Sequence, residues 1–322
     1  MRAAEALSLL RAVFAAGESS PHRMIARVRG QYSTALVVGV LLAAPVGGAE
    51  HPKPRRSANA MLTALRGPRS WSRYSLCDAR RSDPLIEMVG FDADDTLWHS
   101  EIHFQSAHAE FERIVGRYVD LTDARHHATL LDTERRNIRL FGYGAKGMTL
   151  SMIETAVEMT DERISAADIH RLLGLGKAVL SHEVELLPGV REAVESVARE
   201  WPVVMITKGD LFHQEAKVRA SGLADLFGRI EIVSEKDQPT YRRLLEEFAV
   251  PAERFVMVGN SLRSDIEPVV RIGGYGVHVP YHVTWAHEAE HGLGNGHERM
   301  VEVVDAAAVG DAVRAFDRAA SA

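Results

Sequence analysis

The sequence predicts an α/β fold, a doubly wound parallel sheet with a small helical domain inserted into it. Helical stretches separate short apolar runs, an order typical of parallel strands joined by crossover helices. None of the runs alternates strictly between apolar and polar residues, as expected for strands buried on both faces. The predicted strands are 85–91, 203–206, 229–233, 255–258 and 275–279.

A long insertion follows the first predicted strand. Nearly 100 residues lie between this strand and Leu187-Pro188-Gly189, and they have helical periodicity with few strand signals. Such a segment is too long for a simple crossover. We therefore expect a core of residues 84–103 and 186–322, with a helical cap at 104–185 over the site.

The amino-terminal region differs in composition from the rest of the chain. Residues 1–80 contain 12 Lys and Arg against 4 Asp and Glu, whereas the whole chain has a formal charge of -6. We predict that residues 1–82 are a disordered extension and linker. Segment 24–49 has an alternative interpretation, because basic residues, an apolar run and small residues follow one another there as in a signal peptide.

Composition also narrows the class of partner. A net charge of -6 offers no basic face for nucleic acid. The apolar run at 35–46 contains Gly39 and Pro45 and is too short for a stable membrane span. Cys77 is the only cysteine, which is consistent with a reduced compartment. We predict a cytoplasmic protein, or an exported one if segment 24–49 is a working signal; the oligomeric state stays open.

Two carboxylates follow the first predicted strand, in Asp92-x-Asp94-x-Thr96. The spacing places both at the carboxyl edge of the sheet, where α/β proteins build their sites. Asp92 is a candidate nucleophile and metal ligand, and Asp94 a candidate general acid and base. An Asx-rich loop that caps the next helix is the structural alternative.

Two later strands end in groups suited to an anion. Thr207 and Lys208 end the second strand, where a hydroxyl and the neighbouring amides can bind a phosphoryl group. Lys236 follows the third strand and can hold a carboxylate and phosphoryl oxygens together despite their like charges. Lys208 can add positive charge or extend into solvent.

The fourth strand supplies oxygen ligands. A Gly turn leads to Asn260, and Asp265 follows a few residues later. Carboxylate and amide oxygens are hard ligands of the kind that Mg²⁺ requires.

In this order and at these strand ends, the four segments resemble the haloacid dehalogenase superfamily, phosphatase branch, over residues 84–285. The resemblance implies a Rossmann-like core, a helical cap and Mg²⁺-dependent hydrolysis of a small phosphorylated metabolite through an aspartyl-phosphate. It implies catalytic roles for Asp92, Asp94, Thr207 and Lys236. The implied metal ligands are Asp92, Asp94, Asp265 and Asn260.

The resemblance also assigns a role to each carboxyl group. Asp92 attacks phosphorus, and Asp94 protonates the leaving alcohol and then activates water. Dehalogenases of the superfamily lack an acid at the position of Asp94, because halide leaves without a proton. The family commonly has Asp where this chain has Asn260, so this site carries one negative charge fewer.

The insertion contains a glycine-rich loop, Gly142-Tyr143-Gly144-Ala145-Lys146-Gly147. It follows a charged helical stretch instead of a strand, which argues against dinucleotide binding. We interpret it as a cap hinge or substrate loop, with Lys208 of the core and Tyr143 and Lys146 of the loop as substrate contacts. A cap lysine also leaves open carbon–phosphorus hydrolysis through a Schiff base.

Two further alternatives belong to other functional classes. Residues 287–297 match H-E-x-x-H-x-x-G-x-x-H, so His287, His291 and His297 could bind zinc as in metzincin metalloproteases. No substrate-binding strand or Met-turn fits around that motif. The chain could also be a non-enzymatic, phosphate-dependent binding module.

Overall fold

The computed structural model describes part of the chain, residues 86–123, 129–283, 292–293 and 297–319. The predicted extension 1–82 and the signal-like segment 24–49 lie outside the described residues. So do His287 and His291, which leaves the zinc hypothesis without a structural description.

Six strands form a single parallel sheet. They are β1 (Met88–Phe91), β2 (Val203–Lys208), β3 (Arg229–Val233), β4 (Phe255–Gly259), β5 (Tyr275–His278) and β6 (Met300–Glu302). Their order is β3-β2-β1-β4-β5-β6, and every neighbouring pair is parallel. This strand order confirms the predicted doubly wound fold.

Strand β6 was not predicted from the sequence. It has three residues, all of them partly or fully exposed. Its register, with Met300 opposite Gly276, depends on pairing with β5. A segment this short has no hydrophobic pattern of its own, so pairing with the neighbouring strand decides its conformation.

Alternate strand residues supply two apolar clusters, one on each face of the sheet. Val89 and Phe91 of β1 belong to one cluster, together with Val256 of β4. Met88 and Phe255 belong to the other cluster. Because successive side chains point to opposite faces, burial on both faces explains the continuous apolar runs.

Helices cover both faces of the sheet and fill the insertion. They are α1 (Glu101–Val115), α2 (Thr129–Phe141), α3 (Ala145–Met159), α4 (Ala166–Leu180), α5 (Val190–Ala198), α6 (Leu211–Ser221), α7 (Gln238–Phe248), α8 (Glu267–Arg271) and α9 (Val309–Ala319). Within the described ranges, no helix combines the length and the apolar character that a membrane span requires.

Helices α1 to α4 lie between β1 and β2, and we call them the helical insert. Phe111, Met152 and Leu172 belong to an apolar cluster that the insert forms on its own. Helix α1 begins at Glu101, three residues before the predicted cap boundary. The insert therefore buries apolar surface independently of the sheet, as a small domain does.

Asp168 connects α4 to the segment that follows α1. Its carboxylate accepts hydrogen bonds from Arg117 and Tyr118, both at 2.5 Å, and from Arg171 at 2.8 Å. Its backbone N–H donates to the Ser165 hydroxyl, which caps α4. These hydrogen bonds, above all the one from Tyr118, hold the pKa of Asp168 well below its usual range.

Asp168→Asn is expected to lower the melting temperature at pH 7, because an amide cannot ion-pair with Arg117. A carboxyl with a depressed pKa stabilises the fold above its unfolded pKa of about 4 and loses that effect as pH falls further. The difference in melting temperature between wild type and variant should therefore become smaller below about pH 4. Thermal unfolding at pH 7 and pH 3 checks this, and a gap independent of pH would contradict it.

Two glycines of α4 provide a matched test of packing in the insert. A Cβ on Gly176 would lie 2.8 Å from the Thr149 Cβ on α3, whereas a Cβ on Gly174 would meet nothing within 4 Å. We expect Gly176→Ala to destabilise the protein by about 1–3 kcal/mol through overpacking. Gly174→Ala should stabilise it by roughly 0.5–1 kcal/mol through helix propensity. Urea unfolding measures both, and equal effects would contradict the close helix contact.

Candidate active site

The four predicted motifs meet at one edge of the sheet. Asp92 follows β1, Thr207 lies near the end of β2, and Lys236 follows β3. Asn260 follows β4, and Asp265 lies in a π-helical turn just after it, Leu262–Ile266. Because all strands are parallel, their carboxyl ends share this edge, as the sequence predicted.

Lys236 lies between two buried carboxylates. Its ammonium group donates to Asp92 Oδ1 and, at 2.7 Å, to Asp265 Oδ1. Only 3% of the Lys236 side chain is exposed. Burial alone would lower the pKa of Lys236, but the Asp265 and Asp92 carboxylates outweigh it and raise the pKa well above its usual value. Lys236 therefore stays protonated.

Burial acts in the opposite direction on Asp92. It raises the pKa of the Asp92 carboxyl, against the opposing effects of the Lys236 charge and hydrogen bond; the nearby Asp94 carboxylate adds to the rise. A second hydrogen bond comes from the Thr96 hydroxyl, 2.8 Å from Asp92 Oδ2. Both carboxylate oxygens of Asp92 thus have donors that fix its orientation.

Thr96 also connects the first motif with the fourth. Its hydroxyl accepts a hydrogen bond from the Asn260 backbone N–H at 3.0 Å and lies 3.2 Å from Asn260 Oδ1. On the same turn, a Cβ at Gly259 would come within 2.5 Å of the Asp265 Cβ. Only glycine permits that approach, so Gly259 allows Asp265 to reach Lys236.

Asp94 has three donors that the sequence did not reveal. Lys217 Nζ lies 2.5 and 2.7 Å from its two carboxylate oxygens. Gln214 donates at 2.8 Å and the Trp98 indole at 2.7 Å. Burial alone would raise the pKa of Asp94, but the Lys217 charge and these hydrogen bonds outweigh it and lower the pKa. Asp94 is therefore ionised in this arrangement.

The Thr207 hydroxyl is buried without a hydrogen-bond partner among the described residues. Thr207 is 1% exposed and still lines the cleft beside Asp92. A buried polar atom without a partner costs free energy, about 1–3 kcal/mol. Such atoms in native proteins call for an explanation, and a bound ligand is one.

Lys208 and Tyr143 meet across the cleft. The Lys208 ammonium lies 4.4 Å from the centre of the Tyr143 ring and donates to the Ser264 hydroxyl at 2.9 Å. The Tyr143 hydroxyl donates to Glu235 Oε2 at 2.5 Å. Both predicted substrate contacts line the cleft, and Lys208 does not extend into solvent.

Lys146, the third predicted substrate contact, has a different partner. Its ammonium lies 2.9 Å from both carboxylate oxygens of Asp210 and 5.3 Å from the centre of the Phe212 ring. Asp210 lines the cleft, whereas Lys146 itself does not. The geometry thus gives Lys146 a role in joining the insert to the core.

The insert and the core enclose a cleft of about 150 Å³. Among the described lining residues, seven carboxylates face three lysines. The carboxylates belong to Asp92, Asp94, Asp95, Glu101, Glu134, Asp210 and Asp265, and the lysines are Lys208, Lys217 and Lys236. Carboxyl groups thus outnumber lysines in this lining, so a bound cation would reduce the repulsion that an entering anion meets.

Two further lining residues, Asp95 and His213, also have strongly shifted pKa values. Burial and the nearby Asp94 raise the pKa of Asp95 to about 7, although its carboxylate accepts from the backbone N–H groups of Ser100 and Glu101. Burial and Lys217 lower the pKa of His213 to about 4. Asp95 has a φ of 60°, so it also makes the turn that leads into α1.

The oxygen donors of the predicted metal site suit Mg²⁺. Asp92 and Asp265 share the Lys236 ammonium group, and Asp92 and Asn260 share the Thr96 hydroxyl. Mg²⁺ is usually held by one or two carboxylates, with water and substrate phosphate completing its shell. Within the described ranges, no group of three or more His, Cys, Asp or Glu residues is arranged to hold a metal ion. The predicted ligands are carboxylate and amide oxygens, without His or Cys, and such a donor set fits Mg²⁺ better than zinc.

Sequence reasoning missed the residues that hold Asp94. Gln214 and Lys217 are both buried on α6 and are three positions apart, so they share one face of the helix. Polar residues at that spacing on a buried face were the available signal. Nothing in the sequence indicated which group they face, because helix α6 reaches Asp94 only in the folded structure.

Comparison with known proteins identifies the family. A model of the haloacid dehalogenase-like hydrolases matches residues 86–273. A haloacid dehalogenase-like family hydrolase from Xanthomonas campestris is 53% identical, with a TM-score of 0.67, and the match covers 76% of this chain and 97% of that one.

More distant structures also resemble the chain. A 2-haloacid dehalogenase from Pseudomonas syringae pv. Tomato is 19% identical over 71% of this chain and 98% of its own, with a TM-score of 0.47. A predicted phosphoglycolate phosphatase from Haemophilus somnus is 17% identical over 72% and 99%, with a TM-score of 0.48. No curated protein sequence matches significantly. On the family match and the 53% identity, the chain belongs to the haloacid dehalogenase-like hydrolases.

Proposed function

We propose that this protein is a Mg²⁺-dependent phosphatase that hydrolyses a small phosphorylated metabolite through an aspartyl-phosphate on Asp92. The observation that carries the proposal is the environment of Asp92. It is a buried carboxylate held by the Lys236 ammonium, with the carboxyl group of Asp94 two residues away. This set supplies a nucleophile, a countercharge and a proton carrier.

In the first half-reaction, a carboxylate oxygen of Asp92 attacks phosphorus and the ester oxygen leaves. Lys236 neutralises charge as the nucleophile and the phosphoryl oxygens approach one another. The unpartnered Thr207 hydroxyl is suited to donate a hydrogen bond to a phosphoryl oxygen. Lys208 adds positive charge at the same end of the cleft.

Asp94 carries the proton in both half-reactions. An incoming phosphate dianion adds negative charge beside Asp94 and raises its pKa, which favours uptake of the proton that the leaving alcohol needs. After the alcohol leaves, ionised Asp94 accepts a proton from the water that attacks the aspartyl-phosphate. Lys217, Gln214 and Trp98 keep the carboxylate in position between these steps.

Asp92 and Asp265 would hold the magnesium ion, with Asn260 as a neutral oxygen donor. When bound, Mg²⁺ supplies charge neutralisation for the phosphoryl oxygens. Lys217 engages both carboxylate oxygens of Asp94. We therefore assign Asp94 to proton transfer ahead of the metal-ligand role that the sequence also suggested.

The presence of Asp94 favours phosphate esters over haloacids. An alcohol leaving group needs a proton and halide does not, so a proton carrier at this position serves hydrolysis of an ester. Three donors, from Trp98, Gln214 and Lys217, hold this carboxyl group in place.

Asp92→Asn is expected to reduce turnover by about 10³-fold or more, because a carboxamide is a poor nucleophile. Phosphate release by the full-length protein from p-nitrophenyl phosphate and a panel of phosphorylated metabolites, with Mg²⁺ or EDTA, measures the effect. Asp225→Asn, at an exposed position outside the cleft, is the matched control and should leave turnover unchanged. Full activity in folded Asp92→Asn protein, or equal activity in EDTA, would contradict the proposal.

Thr207→Val is expected to stabilise the protein by about 1 kcal/mol, because it removes a buried hydroxyl without a partner. It should also lower kcat/KM by about tenfold through the loss of a phosphoryl donor. Thr155→Val is the matched control, since the Thr155 hydroxyl is equally buried and unpartnered among the described residues but lies outside the cleft.

The control should be stabilised to a similar degree with unchanged kcat/KM. Urea unfolding and steady-state kinetics give the two readouts. If Thr207→Val kept wild-type kcat/KM, the hydroxyl would have no part in binding the phosphoryl group.

A further inference from the structure

Helix α2 buries polar side chains where a packed helix ordinarily buries apolar ones. Its buried residues are Thr133, Glu134 and Asn137. Polar residues on the inner face of a helix break the usual pattern, and such departures concentrate at functional sites. Glu134 lines the cleft, and so does Ile138 one turn further along.

A network of side chains fixes the polar face of α2 against its neighbours. His108 Nε2 on α1 lies 3.0 Å from Glu134 Oε1. Asn137 donates to Ser151 Oγ at 3.2 Å and to Glu154 Oε2 at 2.6 Å, both on α3. Only 8% of the Glu134 side chain is exposed. Glu134 is thus held in a defined orientation at the wall of the cleft.

The core wall and the insert wall of the cleft differ in the cations that they carry. The three lining lysines all belong to the core, where they accompany the Asp92 site. The acidic side chains that the insert contributes to the cleft are Glu101 and Glu134, and no described lining residue of the insert is Lys or Arg. The core wall also carries five carboxyl groups, but it is the wall that has lysines to offer the phosphate. On the insert wall the basic side chain among the described lining residues is His108, which lies against Glu134, so this wall offers carboxylates without a lysine to the rest of the substrate.

We propose that Glu134 selects phosphate esters whose alcohol portion ends in a protonated amine, so that the substrate class is an amino-alcohol phosphate. This inference rests on the proposed phosphatase function. An ammonium group can form a charge-assisted hydrogen bond with the Glu134 carboxylate. A carboxylate or second phosphate at the same place is repelled by Glu134 and Glu101.

The test uses alkyl phosphates that differ only in their terminal group. The full-length protein with Mg²⁺ is assayed on ω-amino, ω-hydroxy and ω-carboxy alkyl phosphates of two to five carbons. We expect kcat/KM for the best amino ester to exceed that of the matched hydroxy ester by about tenfold or more, the range of a hydrogen bond to a charged group. The carboxy ester should be the poorest at every length.

Variants of Glu134 separate charge from shape. E134Q retains an acceptor oxygen but removes the charge, so the ratio of amino to hydroxy kcat/KM should fall by about tenfold. E134D retains the charge on a side chain one methylene shorter, so the optimum should shift toward an amino ester one carbon longer. E158Q, at an exposed position of α3, is the control and should keep the wild-type ratio.

The outcomes distinguish the two levels of the proposal. Two results would overturn the role of Glu134 while the phosphatase function stands. In one, the esters are hydrolysed with no preference for the amine. In the other, the preference for the amine survives in E134Q. Absence of hydrolysis from every ester and from p-nitrophenyl phosphate overturns the phosphatase function itself. Circular dichroism checks whether E134Q is folded. If E134Q does not fold, the shift in optimal chain length with E134D tests the role of Glu134 instead.

Discussion

The contact on which the site depends is the buried ammonium of Lys236 between Asp92 and Asp265. Two carboxylates this close would repel each other and take up a proton if no cation lay between them. Because Lys236 is also out of water, removing its ammonium group would leave two buried carboxylates without a countercharge, which is strongly destabilising. The residues at the ends of β1, β3 and β4 are therefore tied to one another electrostatically.

The sequence allowed the groups at strand ends to be predicted, and physical reasons explain why. Asp92, Thr207 and Asp265 belong to segments that begin with a continuous apolar run typical of a buried strand, whereas Lys236 follows the partly exposed edge strand β3. Parallel strands bring their carboxyl ends together. The order of residue types then indicated the family that the comparisons identify. The doubly wound sheet followed from the same apolar runs, apart from the short edge strand β6.

Residues on helices could not be placed in the same way. Lys217 contacts Asp94 across 123 positions of sequence, and Glu134 reaches the cleft only because α2 packs against its neighbours. A helix shows which residues share a face, but not what that face meets. The partner of the loop residue Lys146, Asp210, was likewise not visible in the sequence.

The glycine-rich loop of the insert is joined to the core by contacts of modest strength. The Lys146–Asp210 ion pair is half exposed at its lysine, and exposed pairs contribute only about 0–1 kcal/mol. The Tyr143–Glu235 hydrogen bond is partly buried and has a charged acceptor, so it contributes about 1.5–3 kcal/mol. Parting the loop from the core would therefore cost a few kcal/mol through these two contacts. An occupant that touches both walls of the cleft would add its own contacts to this small total and so favour the joined arrangement.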